Sequence, residues 1–198
     1  MALIFQSLGR TLAAGLVLLL ALALLSGFAT GQWIRGDFVW WTFFVRWLHV
    51  LSGVRWVGLL WYLNFIQIPT TPKIEPPDHR AALTKFITPN VLFWFRHGAI
   101  ATVVTGLSLA WMNGYLWQAL TLRKGWFAIG AGMWLALVMA YNVWFIIWPN
   151  QQRALGLVEA GADEKAKSAR MAMLTSRFNT MLSIPMLFCM VAQQNGGL

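Results

Sequence analysis

The apolar positions of this chain gather into long unbroken blocks, not into the alternating or three-to-four spaced patterns of a soluble fold. The first block, LAAGLVLLLALALLSGF, predicts a span from Thr11 to about Phe28. The second covers residues 38–68. At about 30 residues and 1.5 Å per residue it would reach ~45 Å, which predicts a tilted helix or one that extends into the headgroups. A third span is expected over residues 91–113, behind the helix-start signal Pro89-Asn90. The fourth, 125–148, is expected to stop at Pro149, and the fifth, 179–192, is short and holds Pro185, which predicts a kink. Since a helical crossing needs roughly 20 apolar residues, this pattern predicts an all-α, polytopic membrane bundle of about five transmembrane helices. Residues 1–198 read as a single domain, with no internal repeat or low-complexity linker.

The polar positions mark the connections. Residues 69–90 are proline-rich and polar. Residues 149–178 include AGADEKAKSARMAMLTSR, too densely charged to cross lipid, with Asp163 four residues before Lys167 at a helix-supporting spacing. A surface helix is expected there. After the first block, Ala29-Thr30-Gly31 resembles a signal-peptide cleavage site, but the apolar run is longer than a usual signal core and favours a retained span.

Composition agrees with the pattern. Hydrophobic residues make up 59% and charged residues 11% of the 198, whereas a soluble chain would be near half apolar and a quarter charged. The net charge of +9 is then a matter of membrane orientation and not of nucleic acid, for which no motif is present; the expected surroundings are the lipid bilayer and its anionic headgroups. With five spans, Arg10, Lys73, Arg80, Lys85, Arg153, Lys165, Lys167, Arg170 and Arg177 share one side, against Arg35, Arg123 and Lys124 on the other. Positive residues stay inside. The expected orientation therefore places the N-terminus and the 149–178 segment on the cytoplasmic side and the C-terminus outside. The single cysteine, Cys189, excludes an internal disulfide framework, a multi-thiolate iron–sulfur cluster and a CxxCH haem attachment within these residues. In its apolar run it reads as a small hydrophobe.

The remaining basic residues carry the chemistry. Arg46, His49 and Arg55 lie in the second span, and Arg96-His97 in the third, yet no Asp or Glu lies in any span. An ionisable group at bilayer depth costs about 2.5–3.5 kcal/mol on insertion scales and needs an offsetting role. Arginines without carboxylates suggest an anionic guest: haem propionates, a phosphate headgroup or an anionic substrate. The opposing explanation is that Arg46 and Arg96 snorkel to headgroups while the histidines bond across helices. Arg46, His49, Ser52, Gly53 and Trp56 share one helix stripe, where the small residues admit a flat ligand or a neighbouring helix. Two histidines without carboxylates suit haem b better than zinc, which takes three or four ligands. Haem b is accordingly the expected cofactor, with His49 and His97 as the candidate iron ligands and Arg46, Arg55 and Arg96 as partners of its anionic groups. From the span boundaries, His49 and His97 are expected to differ in depth by roughly 10 Å, so one haem held by His49 alone, or two haems, is favoured over one held by both. Thirteen tryptophans read as interfacial belts and packing, and Met181, Met186 and Met190 as packing more than as copper ligands.

Four segments carry a family resemblance: RWLHVLSGVRWVGLLWYLNFIQIP (46–69), FRHGAIATVVTGL (95–107), NVWFIIWPNQ (142–151) and SRFNTMLSIPMLF (176–188). Together they resemble the membrane domain of the bacterial urate hydroxylase family, which couples a multi-span domain to a periplasmic cytochrome c. The LHxxxGxxWxG pattern within the first segment is also similar to patterns in a protoporphyrinogen oxidase family and a copper-handling membrane family. The resemblance implies oxidation of urate with electrons passed to a c-type cytochrome. As no CxxCH occurs among these residues, the expectation is either a separate cytochrome as the acceptor or a stand-alone domain with another role.

Three functions follow as expectations. The first is a haem-binding redox protein that oxidises a small anionic substrate such as urate, with His49 as axial ligand and His97 as second ligand or proton acceptor. The second is a non-catalytic accessory subunit of a larger membrane complex. The third, a copper or anion transporter, lacks a pathway motif.

Overall fold

The computed structural model describes residues 2–76 and 78–197; it is helical throughout, and no strand occurs among these residues. Five long helices account for most of the chain: α1 (Leu8–Thr30), α2 (Phe38–Lys73), α3 (His79–Met112), α4 (Phe127–Ala154) and α5 (Ala162–Asn195). The first four are long and apolar enough to cross a membrane. The residues fall into two compact units divided between Phe43 and Phe44. In the first, α1 leaves almost every side chain exposed, as suits a helix surrounded by lipid.

Three helices run on beyond the boundaries that their prolines suggest. α2 continues through Pro69 to Lys73, α3 begins ten residues before Pro89, and α4 passes Pro149 and ends at Ala154. The expected polar loop over 69–90 is thereby reduced to a connection between Lys73 and His79, and the expected stop at Pro149 is absent. Backbone geometry explains why. A proline has no N–H to donate, and its ring crowds the carbonyl four residues back. In each helix a wide π-turn precedes it, over Tyr62–Gln67, Leu83–Ile87 and Asn142–Ile147, each ending two residues before the proline. The wide turns let the chain remain helical where a regular α-turn would clash. α5, by contrast, contains Pro185 within an α-helix that runs unbroken to Asn195.

The expected fifth span is the C-terminal part of α5. This helix is not apolar enough on average to stand with the other four. Ser176, Asn179 and Ser183 face inward and are buried, while Met181, Ile184, Phe188 and Val191 face outward. Three of the polar residues in its C-terminal part are thereby enclosed by the bundle. α5 runs antiparallel to α4: Asn142 meets Asn179, Gly132 approaches Cys189, and the Ile129 amide meets the Gln193 side chain. At its start, Glu164 pairs with Arg153 at 3.3 Å, an exposed ion pair that contributes at most about 1 kcal/mol.

In the second unit α2, α3, α4 and α5 pack around a core of Trp56, Leu60, Phe95, Ala99, Met139, Val143, Ala172 and Met186. Lipid offers no hydrophobic drive for such packing, so close approach and interhelical hydrogen bonds must supply the adhesion. Both are present. A Cβ on Gly98 would lie 3.3 Å from the Trp56 Cα. Asn142 Nδ2 donates to Asn179 Oδ1 at 2.8 Å, and Asn179 Nδ2 donates to Met139 O at 2.9 Å. Asn64 donates to Ser176 Oγ at 2.8 Å, Gln67 to Thr88 Oγ1 at 2.8 Å, and Trp61 Nε1 to Ser183 Oγ at 3.0 Å. Asn142 and Asn179 thus have each other as partners across the two helices.

Candidate functional site

The bundle holds a large cavity beside His49. Its volume is about 610 Å³, and its polar lining comes from Arg46 and His49 of α2, Thr102 of α3, Tyr115 of the following turn, and Gln194 and Asn195 of α5. Its apolar walls include Trp56, Trp61, Met133, Met186 and Met190. That volume lies within the range of small-molecule and cofactor sites.

His49 is held in one orientation. Its Nδ1 lies 3.0 Å from Thr102 O and 3.1 Å from Thr105 Oγ1. A carbonyl can only accept, and the Thr105 hydroxyl already donates to Ala101 O at 2.6 Å. Nδ1 must therefore carry the proton and donate, which leaves Nε2 with its lone pair. A histidine fixed through Nδ1 to a backbone carbonyl is the usual arrangement for ligation through Nε2. Two glycines stand beside it: a Cβ on Gly53 would lie 4.0 Å from Thr102 Cγ2, and Gly106 lies directly against the imidazole.

Arg46 lies one helical turn before His49 on the same stripe and is exposed at the cavity. Its charge reaches Tyr115, whose ring stacks on Trp126 with centroids 4.8 Å apart. Burial pushes the Tyr115 phenol above its ordinary pKa, and the Arg46 charge pulls it partly back.

The other sequence candidates lie elsewhere. Arg55 lines a separate recess between α2 and α3, with its guanidinium 5.3 Å from the Trp94 ring. Arg96 packs over Trp148 at 3.5 Å and lies 5.9 Å from both Trp144 and Phe93. His97 donates from Nδ1 to Phe93 O at 2.7 Å, within its own helix, and its ring meets Phe93 and Trp144. Five candidates thus occupy three places: Arg46 and His49 in the cavity, Arg55 in the recess, and Arg96 and His97 in an aromatic cluster. His97 is not among the residues lining the His49 cavity. Among the described residues no three His, Cys, Asp or Glu side chains come together in a metal-binding group. Sequence reasoning missed Thr105, Gly106 and Tyr115. The first two carry a faint signal in the TGL of the third span, but nothing in a single sequence pairs them with a histidine 56 residues away.

Residues 109–196 match the urate oxidase N-terminal family. No curated protein and no solved structure matches the chain. The matched stretch contains NVWFIIWPNQ and SRFNTMLSIPMLF, so the resemblance read from those two motifs is supported there, on α4 and α5. Tyr115, Met133, Met186 and Met190 fall inside the match; Arg46, His49, Arg55, Arg96 and His97 fall outside it. Over residues 109–196 the chain is similar to the urate oxidase N-terminal family, and its four long apolar helices mark it as a membrane protein.

Proposed function

We propose that this protein binds haem b at His49, oxidises a small anionic substrate of the urate class, and passes the electrons to a separate c-type cytochrome. The observation that carries the reading is His49 itself: an imidazole with Nδ1 tied to a backbone carbonyl and Nε2 left unprotonated, lining a cavity together with two glycines. The family match supports the urate side of the reading.

The residues present fit the group. Nε2 of His49 would ligate the iron, Gly53 and Gly106 would leave room for a flat macrocycle, and Arg46 would neutralise a propionate or an incoming substrate anion. When bound, haem supplies a one-electron relay between substrate and acceptor. The chain's own contribution is to fix the ligand's tautomer through Thr102 and Thr105, to draw anions to the cavity with Arg46, and to surround the site with low-dielectric walls that strengthen that attraction. In the orientation expected from the basic loops, the cavity end, with Tyr115 and Asn195, faces the periplasm of an inner-membrane protein, where c-type cytochromes reside.

The purified protein tests this directly. A stoichiometric b-type reduced-minus-oxidised spectrum, lost in His49→Ala and elicited by urate in place of dithionite, is the expected result. Protein without haem defeats the reading. Haem that urate does not reduce, in a chain that co-purifies with a multi-subunit enzyme, favours an accessory subunit.

A further inference from the structure

The recess that holds Arg55 has the same volume as the His49 cavity, about 610 Å³, but a different character. Its walls are Val54, Leu59, Phe86, Val91 and Trp94, and Val54, Phe86 and Trp94 are half-exposed or more, so it opens sideways, toward lipid. One cationic group serves it. The Arg55 guanidinium lies over Trp94, its Nε is buried without a hydrogen-bond partner, and the spans contain no carboxylate to neutralise it. A snorkelling arginine would extend to the interface; this one is held against Trp94 and Gly98. Trp94 stands nine residues from Lys85 along α3, or ~14 Å at 1.5 Å per residue. A phosphate headgroup anchored at the surface does not reach that depth.

The unmet requirement is thus for an acceptor oxygen, delivered from within the bilayer on a molecule that also fills an aromatic and aliphatic slot. We propose that the recess binds a lipid-soluble quinone, with its ring between Trp94 and Phe86, one carbonyl oxygen accepting from Arg55, and its chain leaving along Val54. A second observation favours this occupant over other lipids. Val54 and Gly58 line both the recess and the His49 cavity, so the two sites lie back to back across α2. On the redox reading proposed above, on which this choice of occupant rests, a redox-active lipid is the kind of bilayer molecule for which that adjacency has a use. Binding itself does not depend on haem at His49, and the test below reads binding alone.

The experiment is photolabelling of the full chain in phosphatidylcholine nanodiscs with an azido-quinone, followed by peptide mapping. Saturable labelling of residues 54–59 and 86–94, suppressed by excess decyl-quinone, is expected. Arg55→Leu should reduce it about tenfold, as the loss of a charge-assisted hydrogen bond implies, and Arg55→Lys should restore part of it. Phe86 is exposed, so Phe86→Ala should weaken labelling even if Arg55→Leu fails to fold. Labelling that does not saturate, that maps to other peptides, or that survives both substitutions overturns the proposal. So does competition by a few per cent of phosphatidylglycerol, which would make this an anionic-lipid site.

Discussion

The imidazole of His49 packs against Gly106: a Cβ at that position would sit 2.8 Å from His49 Cε1 and 3.2 Å from Nδ1. One helix presents the ring and another withholds a side chain to admit it. Any ligand bound by His49 therefore depends on the missing side chain of Gly106.

Gly106→Ala should displace the ring and cost about 1–3 kcal/mol through overpacking. Thermal unfolding in detergent should show the loss, and the b-type spectrum should weaken with it. Gly15→Ala, with open space around the new methyl group, should leave both unchanged. Equal behaviour of the two variants would remove the close packing of His49 from the account.

His49 and His97 should separate under mutation. His49→Ala is expected to abolish the haem spectrum, and His97→Ala to preserve it, because His97 bonds within its own helix and lies outside the cavity. Thr105→Val removes one of the two acceptors at His49 Nδ1 and should weaken haem retention by about 10-fold, the low end for a lost ligand-orienting partner. Loss of haem in His97→Ala with retention in His49→Ala would reverse the assignment of the ligand.

The buried amides of α4 and α5 should behave as a unit. Asn142→Leu takes the donor from Asn179 Oδ1 while Nδ2 keeps Met139 O, and Asn179→Leu leaves Asn142 Nδ2 without its acceptor; either alone should cost about 0.6–2 kcal/mol in unfolding experiments. The double substitution should cost less than the sum of the two. Strict additivity would mean that the 2.8 Å bond contributes nothing.

Tyr115 gives a pH signature. Its phenol is raised by burial and lowered in part by Arg46, so the folded protein should keep a proton that the unfolded chain releases near pH ~10. Its contribution to stability is present below that pH and is lost as pH rises through the folded value. Phenolate absorbance in the wild type minus that of Tyr115→Phe should reveal a late transition, and Arg46→Gln should move it later still. A transition at the ordinary phenol value would contradict the burial of Tyr115.

Much of the architecture is legible in the chain by itself, because lipid makes every backbone polar group find its partner within its own helix. Runs such as 12–28 and 125–148 can then be only helices, and the intramembrane arginines and histidines stand out as soon as no carboxylate accompanies them. Tertiary structure decided what local pattern could not reach. π-Turns carry three helices through Pro69, Pro89 and Pro149, where sequence alone expects a helix to end or, at Pro89, to begin. α5 hides Ser176, Asn179 and Ser183 against α4 and α2, so the average hydropathy of its C-terminal part understates how well that part suits lipid. Above all, five basic candidates on two neighbouring helices divide among three surroundings. The direction each side chain takes depends on which helix faces it, and that is a property of packing and not of spacing along the chain. His49 was visible from its own helix; its tautomer, its cavity and its dependence on Gly106 were not.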